Sequence, residues 1–347
     1  AFFQSSRKAS ISTEHGMADV EFKNCIIATG SKPFTIKGLD FDSNVVSSRE
    51  ALEFNEIPKE LIVVGGGYVG IELGTVYAKL GSHVTILEAT PRILQGNDDD
   101  VVTVVKKRLA DLSVTIRDIT IAISTKPTGG KVTVTIETGG KQENLKAGKV
   151  LIALGHKPVT QDLHLEKTKV ELDEKGFIKV NEKRQTTDPA IYAVGDVAGG
   201  LLLAHKASKE AKIAAEAIAG KAVAFDNTVP SVIFSDPEIA SVGLNETQAR
   251  AQNPNVLVGK FSLKASGRAL TLNQTEGFAK VIADENHNLI GIQVVGPNAS
   301  DLIGEAVLAL ELHATLDDLA YTIHPHPTLC EALSEAAENA LKKGIHA

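Results

Sequence analysis

The chain holds only two cysteines in 347 residues, Cys25 and Cys330, and they lie far apart. They fit neither a CxxC pair nor a zinc-ligand set, so no disulfide framework and no metal centre is expected. A reducing cytoplasm is the natural compartment for such a sequence. Long apolar runs are missing as well, and none reaches the roughly 20 residues that a membrane-spanning helix needs. Residues 1–10 contain no apolar stretch of the signal-peptide kind. The single methionine is Met17, not the first residue, so a processed or truncated start is expected. Finally, there is no excess of basic charge: 36 Lys and Arg face 43 Asp and Glu, for a net charge of -7. Nucleic acid and anionic membrane both select a basic face, so neither is expected as the main partner. The one compact charge run, Asp98-Asp99-Asp100, reads as a solvated face, at positions that also suit the first turn of a helix.

What is present is ordinary for a globular protein: 43% hydrophobic and 23% charged residues, in a length that allows two or three domains. Residues 20–28 are β-rich and run into the turn Thr29-Gly30-Ser31-Lys32-Pro33. Residues 34–57 read as an irregular connection. Leu61 to Val64 predicts a short buried strand, followed by three glycines, a helix over 68–80 and a strand over 84–87, which is one βαβ unit. A helix is predicted over 98–112, then a hairpin of 114–124 and 131–138 around Pro127-Thr128-Gly129-Gly130, then a strand from Val150 to Leu154. Strands near 177–180 and 190–194 precede a helix over 204–218. From about 226 the pattern becomes α+β. Five short strands (231–235, 239–243, 256–263, 278–283, 289–295) come before apolar-periodic helices at 299–313 and 328–342.

Gly65-x-Gly67-x-x-Gly70 follows a strand and opens a helix. Such glycines allow a tight turn, close approach of a pyrophosphate to the backbone, and close helix–strand packing, while the helix start offers unpaired N–H groups. Glu88 ends the second strand, where a carboxylate can accept from ribose hydroxyls and repels a 2′-phosphate. NAD is therefore favoured over NADP, and only the lone Arg92 follows nearby. Taken alone, Glu88 also fits a solvated strand end.

Three further motifs surround this unit: Ile27-Ala28-Thr29-Gly30-Ser31, Ile191-Tyr192-Ala193-Val194-Gly195-Asp196, and His324-Pro325-His326-Pro327-Thr328-Leu329-Cys330-Glu331. Their order resembles the pyridine nucleotide–disulfide oxidoreductases over residues 10 to 345, and the last motif is similar to the dihydrolipoamide dehydrogenases among them. The resemblance implies FAD at Thr29, Gly30 and Ser31, with Asp196 on its ribitol and Leu202, Leu203, Ala204 and His205 along the flavin. It implies NAD against Gly65, Gly66, Gly67, Tyr68, Val69, Gly70, Ile71, Glu72, Glu88, Ile121 and Gly155. His326 would be the acid–base catalyst and Glu331 its partner. The last domain would form a homodimer that places His326 in the neighbour's site. Lipoyl domains of 2-oxo acid dehydrogenase complexes would be the other partners.

The residues themselves allow plainer readings beside these. Asp196 can accept from a sugar hydroxyl at a strand end, or be a turn residue. His326 precedes Pro327, which suits a helix's first turn; Glu331 can hold the ring in one tautomer and make it a proton carrier, yet spacing alone equally fits a satisfied loop histidine. His324 lacks an acid and a Pro-Thr at that spacing. Glu72 is either a helix-surface acid or, by the resemblance, partner to a lysine beside the redox disulfide.

The family also carries an earlier GxGxxG for the ADP half of FAD and a CxxxxC redox pair. Neither is in this sequence, and the shortfall is on the order of 100 residues. The expected architecture is α/β: two Rossmann-like doubly wound nucleotide-binding domains, the FAD one incomplete, plus a C-terminal α+β dimerisation domain. Its parts are 1–57 and 157–225 for FAD, 58–156 for NAD and 226–347 for the interface. The expected function is FAD-dependent oxidation of protein-bound dihydrolipoamide with hydride transfer to NAD. Its alternatives are a non-catalytic NAD-binding, dimerising module, or another flavin disulfide reductase.

Overall fold

Leu61, Ile62, Val63 and Val64 are all buried, as expected of a strand covered on both faces. In the computed structural model, which describes residues 1–346, they belong to the strand Glu60–Val64 at the centre of a five-stranded parallel sheet. The strand order is Val45–Val46, Lys149–Ile152, Glu60–Val64, His83–Leu87, Thr115–Arg117. One face is covered by the helices Tyr68–Lys79 and Asp99–Asp111, through Ile71, Val101, Val105 and Leu109 against Leu61, Val63 and Ile86. The other face is covered by an antiparallel sheet of Thr120–Thr128, Lys131–Thr138 and Lys141–Ala147, through Ala122, Val132, Val134 and Ile136 against Ile62 and Val64.

The chain divides into two units, Ala1–Phe34 with Gly155–Asn227, and Thr35–Leu154 with the chain from Thr228 onward. The second holds the parallel sheet and a five-stranded antiparallel sheet in the order Ser231–Ile233, Glu238–Gly243, Leu289–Gly296, Phe278–Ala283, Leu257–Ser262. Helices Ala299–Glu311 and Glu331–Ala340 pack on one face of the latter. From the same strands Ile239, Phe278 and Val295 enter the core of Ile71 and Leu109, and this continuity makes one unit of the two sheets. Residues 35–57, read from sequence as part of the first domain, contribute Val45–Val46 to the edge of the parallel sheet.

The first unit contains a meander of Phe2–Ser5, Lys8–Thr13 and Gly16–Glu21, the parallel pair Cys25–Ile27 with Ile191–Ala193, and the helix Ala204–Ile218. The strand expected over 20–28 is thus two strands in different sheets. Phe22 N–H donates to Arg7 O while Cys25 N–H donates to Ala190 O, so the chain changes partners between them. The expected stretch 114–124 divides likewise, Thr115–Arg117 joining the parallel sheet and Thr120–Thr128 the antiparallel one.

Candidate functional site

The turn after Val64 is built from glycines for distinct reasons. Gly65 has φ +110°, and a Cβ there would stand 2.4 Å from Ala153 O. At Gly70 a Cβ would stand 2.0 Å from Gly65 O, so this residue lets helix and turn touch. At Gly67 a Cβ would meet nothing within 4 Å, so no packing inside the protein calls for a glycine there. Gly67 caps the helix Tyr68–Lys79 without a side-chain hydrogen bond, which leaves the N–H groups of Val69 and Gly70 for a ligand. Tyr68 is exposed at the helix start, Val69 is half-buried, and Gly70 and Ile71 are buried.

Glu88 ends the neighbouring strand. Its Oε2 accepts from Gly66 N–H at 2.7 Å, and its Oε1 accepts from Thr90 N–H at 2.8 Å and Thr90 Oγ1 at 2.5 Å. A carboxylate has about four acceptor positions, so Oε2 keeps one for an incoming hydroxyl. Thr120 N–H donates to Glu88 O, which puts the exposed Ile121 just beyond the acid. Glu72, one turn into the helix, accepts from Phe234 N–H at 2.8 Å. Burial pushes its carboxyl above the usual range, and the Phe234 N–H only partly offsets this. Gly155, with φ +106°, falls in the other unit, where its carbonyl accepts from Phe34 N–H at 3.3 Å.

That unit brings the remaining nucleotide candidates together. Thr29 Oγ1 donates to Val159 O at 2.6 Å, Gly30 takes φ +70°, and Ser31 Oγ donates to Asp196 Oδ2 at 2.6 Å. Two motifs 165 residues apart therefore share one corner. Leu202 and Leu203 lead into the helix Ala204–Ile218, whose start has no side-chain cap; Ala204 and His205 are exposed there.

Beneath this corner lies a charge cluster that sequence reasoning missed. Glu210 is 0% exposed. It pairs with Lys206 at 2.9 Å and Arg184 at 2.8 Å, and its Oε2 accepts from Gly195 N–H at 2.7 Å. Lys206 also donates to Gly199 O at 2.8 Å, so the pair grips both ends of the turn that carries Asp196. Helical spacing held the signal: residues 206, 210, 213 and 214 form one buried stripe.

In the last motif, His326 Nδ1 lies 2.8 Å from Glu331 Oε1. A carboxylate only accepts, so Nδ1 carries the proton and Nε2 is left as a base on a side chain 77% exposed. Burial raises the Glu331 carboxyl, but the Thr328 N–H at 2.7 Å and the His326 ring outweigh it, and the net direction is down. The expected placement of His326-Pro327 at a helix's first turn needs correction. The helix begins at Glu331, because Thr328 Oγ1 donates to Pro325 O and Glu331 takes Thr328 N–H, closing a separate turn. His324 is satisfied on both nitrogens, by Thr322 O at 2.9 Å and Glu305 at 2.7 Å. The acidic run is corrected too. Asp99 is exposed, but Asp98 is buried and Asp100 half-buried, both bound to Lys280 at 2.9 Å.

Residues 3–211 match the family described as pyridine nucleotide-disulphide oxidoreductase, and residues 229–337 match its dimerisation domain. The chain belongs to this oxidoreductase family. It is 48% identical to dihydrolipoyl dehydrogenase of Haloferax volcanii, over 95% of this chain and 71% of that one. With the dihydrolipoyl dehydrogenase of Thermus scotoductus the identity is 50%, over 92% and 70% of the two chains. The crystal structure of LpdA from Mycobacterium tuberculosis superposes with a TM-score of 0.90 at 28% identity, covering 95% of this chain and 72% of that one. Pyridine nucleotide-disulphide oxidoreductases of this kind are enzymes that use FAD and NAD.

The oxidoreductase's residues fit NAD at the Gly65–Gly70 turn, where Gly67 leaves open space above an uncapped helix. They fit one end of FAD at Ser31 and Asp196. This sequence contains no second GxGxxG for the ADP half. Among the described residues no group of His, Cys, Asp or Glu is arranged to hold a metal, and no helix is long and apolar enough to cross a membrane.

Proposed function

We propose that the chain serves oxidation of protein-bound dihydrolipoamide with NAD as final acceptor, as the names of its relatives suggest. The observation that carries this reading is the His326–Glu331 contact at 2.8 Å, because a dithiol substrate needs a base and nucleotide binding alone does not. Bound FAD supplies a two-electron relay between dithiol and NAD. The chain's own groups do the rest. Nε2 of His326 takes a proton from a thiol, and Glu331 holds the ring through Nδ1. Gly67 leaves room for the NAD pyrophosphate and the N–H groups of Val69 and Gly70 receive it; Gly66, Tyr68 and Ile71 belong to the same turn, where Gly66 N–H is held by Glu88 and Ile71 N–H by Gly67 O. Glu88 and Ile121 face its adenosine end, and Glu72 and Gly155 are assigned to the same cofactor. Thr29, Gly30, Ser31 and Asp196, with Leu202 to His205, are assigned to FAD.

A homodimer follows from the dimerisation domain, and the exposed apolar residues Leu308, Leu312, Tyr321 and Ile323 support it. Lipoyl domains of 2-oxo acid dehydrogenase complexes are the proposed macromolecular partners. The unpaired Cys25 and Cys330 support a cytoplasmic setting.

The sequence contains no cysteine pair at the family's redox spacing, so electron transfer from the dithiol is assigned to none of its residues. The second reading is an NAD-binding, dimerising module without turnover, which the open turn at Gly67 and the dimerisation domain support by themselves. One experiment separates the two: the visible spectrum of the chain after incubation with FAD and gel filtration, followed by titration with NADH. A stoichiometric flavin band together with NADH binding supports the first reading. A colourless protein that binds NADH supports the second, and failure to bind NADH overturns both.

A further inference from the structure

Lys280 is the largest fully buried side chain in the protein, 1% exposed on the strand Phe278–Ala283 of the dimerisation domain. An ammonium is seldom kept from water unless it has partners. Lys280 has Asp98 and Asp100 at 2.9 Å and Glu246 at 3.4 Å. Asp98 is the hub. Besides Lys280, it accepts from Glu246 N–H at 3.0 Å, Thr247 N–H at 3.1 Å and Thr247 Oγ1 at 2.7 Å. Asn245 Nδ2 adds a tether to Gly96 O at 2.7 Å.

Asp98 ends a short segment whose other end touches the nucleotide turn. Leu94 N–H donates to Gly66 O at 2.8 Å. Ile93 is fully buried, and its Cγ2 lies 2.7 Å from where a Cβ on Gly66 would stand. Gly66 is thus held through its N–H by Glu88 and through its C=O by this segment. Asp98 follows Leu94 within about one turn's length of chain, so little slack can absorb movement at either end. The N–H groups that follow Gly66 are those that face a pyrophosphate.

We propose that Lys280 is a positioning residue for dinucleotide binding, acting through Asp98 and residues 93–98 on Gly66. The inference rests on the nucleotide site described above and extends it to the dimerisation domain. If the cluster served stability alone, its loss would lower the melting temperature and leave affinity for the cofactor unchanged.

The test is calorimetric titration of the full chain with NADH, at a temperature where circular dichroism shows each variant folded. Lys280→Met is expected to weaken NADH about tenfold, the effect of about 1.4 kcal/mol, and Lys280→Arg to recover most of the affinity. Ile93→Ala is expected to weaken binding as well, and the double variant to be no weaker than the weaker single, since both act on the same segment. Lys260→Met, which removes the 3.1 Å contact to Asp100 and the ammonium over the Phe278 ring but no bond to Asp98, leaves affinity unchanged. Unaltered affinity in Lys280→Met, or strictly additive losses in the double variant, overturns the proposal. Should Lys280→Met fail to fold, Asn245→Ala takes its place: weaker binding supports the proposal and unchanged binding overturns it. If the unmutated chain does not bind NADH, or Gly67→Val binds as well as it does, the nucleotide site itself is misassigned and the proposal falls with it.

Discussion

At the scale of single residues, the glycines of the nucleotide turn separate binding from folding. A Cβ at Gly67 meets no protein atom, and its φ of -74° suits any residue, so Gly67→Val fills only the space offered to a ligand. NADH binding in that variant is expected to fall by more than tenfold with the thermal midpoint unchanged; calorimetry beside a melting curve reads both. Gly70→Ala is expected to do the reverse first, losing about 1–3 kcal/mol of stability, because its methyl would stand 2.0 Å from Gly65 O. Equal thermal loss in the two variants would refute this division. His326 was legible in sequence as a histidine with a Pro-Thr and an acid at a spacing that His324 lacks, although spacing alone also fitted a satisfied loop histidine. The structure supplies a physical reason: both nitrogens of His324 are occupied, whereas the Glu331 contact of His326 engages Nδ1 and leaves Nε2 for a substrate. In protein that turns over, His326→Gln is expected to abolish dihydrolipoamide-dependent NAD reduction, on the order of the 10²–10⁴-fold that a positioned base contributes. NADH affinity, measured on the same sample, should stay as it was. Retained dithiol turnover would remove His326 from the mechanism.

At the scale of elements, long periodic segments were legible and short or polar ones were not. The helices Tyr68–Lys79, Asp99–Asp111, Ala204–Ile218 and Ala299–Glu311 lie within two residues of where the sequence reading places them. Lys141–Ala147 has hardly any apolar alternation and becomes a strand by pairing along Lys131–Thr138. The short helices Glu246–Gln252 and Leu316–Tyr321 were passed over, although Asn245 with Gln248 and Thr315 with Asp318 form capping boxes readable from sequence. The acidic head of Asp99–Asp111 was misread because its partner, Lys280, lies some 180 residues away. Its titration follows from the pairing. Burial works against the charge on Asp98, but the bonds from Thr247 and Lys280 prevail and hold its carboxyl below the usual value. For Lys280, burial lowers the ammonium's value, and the carboxylates more than offset this to raise it. The Asp98 contribution is thus present above the unfolded carboxyl value, about 3.9, and is lost as pH falls through the depressed folded value. The Lys280 contribution is complete below the unfolded ammonium value, about 10.4, and is lost as pH rises through the raised one. Urea midpoints across pH should show a plateau between these limbs. Lys280→Met should lower the plateau by about 3–5 kcal/mol, the cost of leaving a buried charge unpaired, and converge with the parent at the alkaline end. A constant offset at every pH would mean lost packing rather than lost charge.

At the scale of the whole molecule, sequence order hid a grouping in space. A composition change near residue 226 marks the C-terminal dimerisation domain, which matches over residues 229–337, but it does not show that Ile239, Phe278 and Val295 of that domain share a core with Ile71 and Leu109 of the nucleotide-binding sheet. Contacts this distant in sequence leave no periodic trace, because each strand reads only as locally apolar. The same C-terminal region exposes large apolar side chains: Ile323 is 95% exposed, Tyr321 73% and Leu312 70%. Large apolar side chains left this exposed are candidates for an interaction surface, and the match to a dimerisation domain points to a second copy as the partner to test there. His326 lies three residues beyond Ile323, so covering that surface in a dimer also bears on the environment of the proposed base. Ile323→Glu puts a charge where burial is expected and should shift the chain from dimer toward monomer in sedimentation velocity at micromolar concentration. Monomers of this variant should still bind NADH, since no residue of the Gly65–Gly70 turn is altered. If the interface completes the dithiol site, these monomers should have lost dihydrolipoamide-dependent turnover in any preparation where the dimer shows it. A monomeric variant with undiminished turnover would show that each chain carries its own complete site. A variant that remains dimeric would place the interface elsewhere on the domain.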